Sequence, residues 1–234
     1  MSKRSHIIDM INYQIELLKE LDQSLLDDFF NNGTIVYCKK NEPIFMSGEL
    51  EKYFYIVLNG KIKTLQIDID SSREQTMFIY RKGDMFDTLI LLDGKPHDVI
   101  YEVLESSELL QLPIEMVREW VYNNPQFNRR FFPYLASQMR YTEELASDLS
   151  IYSTAQRLSK LLLQNINPAD RHHYQLLQNL SKTEIAKLIG SVRNVIERHI
   201  KDLKDQDIIE NSRKNISIKN LEKLLEQSKR LLLN

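Results

Sequence analysis

Five of the six glycines of this 234-residue chain lie between residues 33 and 94, and the sixth stands alone at 190. Glycine lets a backbone reverse through conformations closed to other residues. Its distribution therefore divides the chain into a turn-rich first part and a second part with one possible glycine turn. Short β-rich segments run among and beyond the clustered glycines: TIVYC (34–38), PIFM (43–46), YFYIVL (53–58), KIKTLQI (61–67), TMFIY (76–80), VIYEVL (99–104) and ELLQLP (108–113). Many short strands with regular turns predict a sandwich or barrel. Asn59-Gly60 separates two of them and is the strongest short hairpin signal. Ahead of the strands, Ile7, Ile8, Ile11, Ile15, Leu18 and Leu21 recur at helical spacing.

After residue 113 the period changes. IEMVREWVYNN reads as a short helix, and Pro125 fits the first turn of the next. Pro133 is expected to kink or re-initiate that helix. Beyond it, Leu135, Met139, Thr142, Ala146 and Leu149 follow a 4, 3, 4, 3 spacing, with Glu143, Glu144 and Asp148 off the seam. Such a seam serves either packing within one domain or pairing with a second chain. Ser153 and Gln156 form a capping-box pattern. The helix it starts carries Leu158, Leu161, Leu162 and Ile166 and stops before Pro168.

Composition excludes several classes. No stretch approaches the roughly 20 apolar residues of a membrane span, and polar residues interrupt the N-terminus too often for a signal peptide. A lone cysteine, Cys38, excludes internal disulfides and suits a reducing compartment, so the expected location is cytoplasmic. There is no His-Glu-x-x-His, no Gly-x-Ser-x-Gly, no Gly-rich phosphate loop and no metal-spaced cysteine set, so no enzyme is expected. Charge is unevenly spread. Residues 1–152 hold 16 Lys and Arg against 24 Asp and Glu, whereas residues 153–219 hold 12 against 7. An acidic first part joined to a basic second part suggests that the second meets a polyanion.

The solitary glycine sits inside that basic block. LSKTEIAKLIG opens with Ser181 and Glu184, a second capping-box pattern, turns Ile185, Ala186 and Ile189 inward, and ends on Gly190. SVRNVIERHIKDL follows at once, with Val192, Ile196, Ile200 and Leu203 on one face and Arg193, Asn194, Glu197 and Arg198 on the other. Two short helices across a glycine turn make a helix-turn-helix. DIIENSRKNISI then offers two short apolar runs around a basic tip, a hairpin wing. Arginine matches the O6 and N7 of guanine, and asparagine the N6 and N7 of adenine. Base reading is therefore assigned to Arg193, Asn194, Glu197 and Arg198. Phosphate contact is assigned to Ser181, Lys182, Thr183, Lys187, Ser191, Lys201, Arg213 and Lys214. Arg193 and Glu197, at i and i+4, can also simply pair on the surface.

These segments together resemble the CRP/FNR family, the cyclic-AMP receptor protein and its relatives, over about residues 25 to 220. YFYIVLNGKIK is similar to the family's strand–glycine–strand signature, and RKGDMFDTLILLDG to the Gly-Asp segment entering its effector pocket. STAQRLSKLLLQ resembles the helix that opens its DNA-binding domain, and LSKTEIAKLIGSVRNVIERHIKDLKDQDII its helix-turn-helix. The resemblance implies an α+β protein: a cyclic-nucleotide-binding-like β-roll (a double-stranded jelly roll) over residues 1–124, a dimerisation helix and hinge over 125–152, and a winged helix-turn-helix with a C-terminal helix over 153–234. It implies a homodimer joined along Leu135, Met139, Thr142, Ala146 and Leu149. The implied partners are double-stranded DNA carrying an inverted-repeat operator, and RNA polymerase.

The departures from the family concern what is read and what is sensed. Where relatives commonly carry Ser-Arg-Glu-Thr or Ser-Arg-Glu-Ser, this chain has Val192-Arg193-Asn194-Val195. Arg193 is kept, and so is the later Arg198, so guanine recognition by one or the other is expected to persist while other bases of the half-site differ. The implied effector pocket includes Gly83, Asp84, Thr88, His97 and Asp98. Thr88 stands at the family's ribose-binding glutamate, and His97-Asp98 at its phosphate-binding Arg-Ser pair. An aspartate facing a phosphate repels it, so cyclic AMP is not expected. An iron–sulfur cluster needs several thiolates and is excluded by the single cysteine. His97 is a candidate haem ligand, although one histidine fixes no cofactor. Cys38 is a candidate redox thiol, against the simpler reading of a small buried hydrophobe. The alternative function is a ligand or redox sensor that acts through protein contacts, with a winged helix that no longer reads DNA.

Overall fold

The computed structural model describes residues 23–42, 44, 48–170, 172–211 and 216–232. The helix expected around Ile7 to Leu21 and most of the expected strand 43–46 lie outside these residues. The described part orders as α1 (Gln23–Asn32), β1 (Thr34–Cys38), β2 (Tyr53–Asp68), β3 (Arg73–Arg81), β4 (Met85–Phe86), α2 (Thr88–Asp93), β5 (Ile100–Pro113), α3 (Ile114–Asn123), α4 (Pro125–Ile151), α5 (Thr154–Ile166), α6 (Lys182–Leu188), α7 (Arg193–Asp205), β6 (Ile209–Asn211), β7 (Ile216–Ile218) and α8 (Leu221–Leu232). Contacts divide it into two compact units, one within Met1–Leu65 and Phe78–Met139, the other within Gln66–Met77 and Arg140–Asn234. Helices joined to antiparallel strand pairs are the α+β class expected from the sequence.

The strands β1 to β5 form one sheet in the order β1-β5-β2-β3, with β4 also paired to β2. β5 runs antiparallel to β1, from Thr34↔Gln111 to Cys38↔Ser107, and to β2, from Tyr53↔Pro113 to Leu65↔Ile100. The two segments expected to form a hairpin at Asn59-Gly60 are one continuous strand. The glycine marks a bulge, with register shifts against β5 between Val57 and Ile62. The cause lies in the partner strand. Gly60 has φ +91°, and a Cβ there would stand 2.7 Å from the Ser106 carbonyl oxygen. A bulge and a turn draw on the same residues, and only the neighbouring strand distinguishes them. β5 likewise joins two expected strands into one.

Two apolar clusters cover the sheet. One joins Phe29, Phe54, Leu110, Leu112, Trp120, Phe127 and Phe131. Its rings are in contact, with centroids 4.6 Å apart for Phe29–Trp120 and 5.2 Å for Phe127–Phe131. The other gathers Cys38, Tyr55, Val57, Phe86, Tyr101 and Leu109. α4 continues for 27 residues through Pro133, so the helix does not re-initiate there. Pro133 itself is exposed. The next residue, Tyr134, anchors the helix: its hydroxyl accepts from the Met85 N–H at 2.9 Å and donates to the Met85 carbonyl at 3.0 Å.

In the second unit α5 begins with the full capping box. The Gln156 side chain accepts from the Ser153 N–H at 2.7 Å, and Ser153 Oγ accepts from the Gln156 N–H at 3.4 Å. α6 begins with Ser181 Oγ accepting from the Glu184 N–H at 3.1 Å. β6 and β7 form the antiparallel wing, Ile209↔Ile218 to Asn211↔Ile216. α8 packs by Leu224, which is fully buried, while Leu221 and Leu225 are exposed.

Candidate nucleic-acid interface and sensor site

α7 is held by one face and exposed by the other. Ile196, Ile200 and Leu203 are 0, 2 and 5 % exposed, and each fully buried side chain of this size stabilises by about 1.5–3 kcal/mol. The surface pair Arg193–Glu197, Nε to Oε1 at 2.9 Å, contributes roughly 0.3–0.5 kcal/mol. Apolar burial therefore sets the rotation of the helix, and its polar residues must face out. Arg193, Asn194, Arg198 and Lys201 are exposed on it. Glu197 is half-buried. It also lies 4.0 Å from Lys182 Nζ of α6, so its carboxylate sits between two cations. Val192, the N-cap, gives no side-chain cap and is exposed.

The turn between α6 and α7 is built around Gly190, in the left-handed region at φ +65°. The Ser191 N–H donates to the Ala186 carbonyl at 2.8 Å and closes the turn. The Gly190 carbonyl accepts from Arg73 and Arg157, both at 3.4 Å. Gln75 Nε2 donates to the Leu188 carbonyl at 3.3 Å. Arg157 also donates to the carbonyls of Asp148, Leu149 and Tyr152, so one guanidinium ties the end of α4 to the turn. Sequence reasoning missed Arg157, Arg73 and Gln75, since nothing local marks residues whose partners lie 33 to 117 positions away. Lys187 belongs with them. Its ammonium is 2.6 Å from Glu74 and 3.7 Å from Glu184, so the phosphate role expected of it is taken by carboxylates. Ser181, Lys182, Thr183 and Ser191 lie at the start of α6 and before α7. Arg213 and Lys214 lie outside the described residues.

Of the implied effector residues, Gly83 and Asp84 lie in one turn. Asp84 is buried and accepts from the Arg81 N–H at 2.8 Å, a turn contact. Gly83 is in the same turn, at φ +86°. Thr88 opens α2, and Asp98 is exposed. The polar centre is Asp87, which the sequence reading did not single out. Its carboxylate meets His97 Nδ1, accepts from the Tyr101 hydroxyl at 2.9 Å, and caps α2 through the Leu89 N–H at 3.0 Å. Burial opposes the charged carboxylate, but the His97 hydrogen bond and charge, with Tyr101 and Leu89, hold its pKa below the usual range. The Asp87 hydrogen bond raises His97 against burial, helped by the Asp87, Asp98 and Asp93 charges. Cys38 is buried, and burial with Glu42 and Glu49 raises its thiol pKa. Both effects favour the thiol over the thiolate, which suits a small buried hydrophobe better than a redox thiol.

The His97–Asp87 pair makes stability depend on pH. The Asp87 contribution is present above the ordinary carboxylate pKa and is lost as pH falls through its lowered value. The His97 contribution is complete below the ordinary imidazole pKa and is lost as pH rises through its raised value. Thermal melts should therefore show the first unit losing stability as pH rises past neutrality, and His97→Ala should flatten that slope. Asp87→Ala, which also removes the cap, should cost about 2–3 kcal/mol. An unchanged slope in His97→Ala would separate the pair from stability.

Comparison with known proteins adds the decisive observation. Residues 35–124 match the cyclic nucleotide-binding domain family, and residues 156–227 match the Crp-like helix-turn-helix domain family. The chain belongs to the CRP/FNR family. It is a CRP/FNR-type DNA-binding transcription regulator and not an enzyme. The global nitrogen regulator of Nostoc sp. is 28% identical over 187 residues, 77% of this chain and 82% of that protein. The CRP-like cAMP-activated global transcriptional regulator of Mycobacterium tuberculosis is 23% identical, over 81% of this chain and 86% of its own. The fold is also that of a CooA mutant from Carboxydothermus hydrogenoformans, with TM-score 0.72, 19% identity, and 91% of this chain and 93% of that one covered. FixK2 from Bradyrhizobium japonicum gives 0.70 at 21% identity over 83% and 96%. No helix among the described residues is long and apolar enough to cross a membrane.

Proposed function

We propose that this CRP/FNR regulator is a homodimer that reads an inverted-repeat operator, one α7 entering the major groove of each half-site. The observation that carries this is the division of α7, with Ile196, Ile200 and Leu203 buried and Arg193, Asn194 and Arg198 exposed. Those three exposed residues read bases. Ser181, Lys182, Thr183, Ser191 and Lys201, with Arg213 and Lys214, meet phosphates. Two-fold symmetry of the protein is matched by that of the operator. Residues 1–124 are the sensor domain, 125–152 the dimer helix and hinge, and 153–234 the DNA-binding domain. RNA polymerase is the further partner of a transcription regulator of this type.

Pairing along α4 accounts for a seam left in solvent. Met139 is 66 % exposed, Leu149 is 36 % exposed, and Thr142 and Ala146 are exposed with them. Leu135, the first of the five, packs partly on the first unit's core. An apolar helix face of this length is costly in water unless covered. The sensor takes a ligand other than a cyclic nucleotide. The Leu89 N–H at the start of α2 is already bonded to the buried Asp87 carboxylate, and a phosphate entering there would meet like charge.

Native mass spectrometry and a salt titration test this reading together. The expected mass is twice 27.7 kDa, and the logarithm of affinity for duplex DNA should fall linearly with the logarithm of salt concentration. A monomer, or binding indifferent to salt, would contradict it.

A further inference from the structure

We propose that Glu197 is a positioning residue and not a reader of bases: it grips Arg193 by Nε and thereby presents the opposite edge of the guanidinium to guanine. The proposal rests on α7 being the recognition helix, and it assigns a mechanism to that helix's leading arginine.

The geometry starts from an electrostatic problem. Arg193 is the first residue of α7. A helix N-terminus carries partial positive charge and disfavours a cation. No acidic residue lies in that first turn, and Val192 supplies no side-chain cap. An arginine placed there and left alone would swing away from the helix end. Glu197, one turn on, counters this. Its Oε1 accepts from Arg193 Nε at 2.9 Å.

The donor inventory then decides which edge is left. A guanidinium has five N–H groups in a fixed plane. With Nε committed to Glu197, the paired Nη1 and Nη2 donors remain as a fork directed away from the carboxylate. Two parallel donors are what O6 and N7 of guanine accept in the major groove. Arg193 stays 63 % exposed while so held, so its fork is both fixed and reachable. Fixing a long side chain before contact removes an entropic cost from binding.

The same contacts argue against Glu197 reading cytosine. The oxygen that would accept from cytosine N4 already faces two cations, Arg193 at 2.9 Å and Lys182 at 4.0 Å. To read a base it would have to release both. Held where it is, the carboxylate also repels phosphate. That works against a sliding mode in which Arg193 folds onto the DNA backbone, so Glu197 sharpens specificity in two ways.

The test is a comparison of base preferences. Wild type, Glu197→Met, Arg193→Ala and the double variant are each used to select sites from a random duplex library. Each is also titrated against one non-cognate duplex. Methionine keeps the length and helical preference of glutamate but offers Arg193 Nε no oxygen acceptor, and thermal melts verify that all four proteins fold. The expected result is that Glu197→Met loses preference at the same base pair as Arg193→Ala, by roughly tenfold. Its affinity for the non-cognate duplex should be unchanged or tighter, and the double variant no worse than Arg193→Ala. Loss at a different base pair would make Glu197 a reader. Equal loss on all sequences would make the contact purely structural, and intact guanine preference would remove its role. A wild-type protein that selects no sequence would instead overturn the recognition-helix reading itself.

Discussion

Gly190→Val is expected to abolish DNA binding on every sequence and to lower the melting temperature of the helical unit by several degrees. The glycine stands at φ +65°. A left-handed conformation costs an ordinary residue about 1–2 kcal/mol, and a β-branched one is a genuine outlier there. A Cβ would also stand 2.5 Å from Leu149 Cδ2 and 2.9 Å from Gln75 Oε1. Both atoms end flexible side chains and can move, so the backbone term dominates. The consequence exceeds the energy because of what the residue joins. Its carbonyl receives Arg73 and Arg157, and the next N–H closes the turn onto Ala186. A shifted turn re-aims α7. Gly190→Asn should be milder, since asparagine tolerates this conformation. Circular dichroism melts and anisotropy titrations would check both. A valine variant that binds normally would show that the turn does not set the helix.

Arg193→Ala is expected to act on one base pair and leave the fold alone. Its side chain is exposed and pairs at the surface with Glu197, so the melting temperature should hold. Losing a bidentate guanine contact costs about 1–3 kcal/mol and relaxes discrimination at that position. Competition titrations with each of the four base pairs at that position would measure it. If affinity falls by the same factor on all four, Arg193 contacts phosphate instead. The two variants separate the roles proposed for these residues, Gly190 in placing the helix and Arg193 in reading with it.

The parts of this structure legible in the sequence are those fixed by local physics. Ser153 and Ser181 cap the helices they were expected to cap. Gly190 turns left-handed where a glycine between two helical stripes must. Ile196, Ile200 and Leu203 set the face of α7, whereas Val192, expected on that face, is the exposed N-cap. What stayed hidden depends on residues distant in sequence. Asn59-Gly60 carries the signal of a turn, but the Ser106–Ser107 stretch of β5 makes it a bulge. Lys187 reads as a phosphate ligand until Glu74 arrives beside it. His97 was seen, but not its partner. Asp87 comes from ten positions earlier, as the cap of a helix too short to show a period. Arg157 shows no motif, because its acceptors are backbone carbonyls, which any sequence has.

The central claim is that this protein reads DNA sequence with α7, and selection from a random duplex library tests it most directly. The wild-type protein should recover an inverted repeat with a guanine in each half-site, and Arg193→Ala should lose preference at that guanine while keeping the spacing of the repeat. Recovery of unrelated sequences with no shared half-site would contradict the claim.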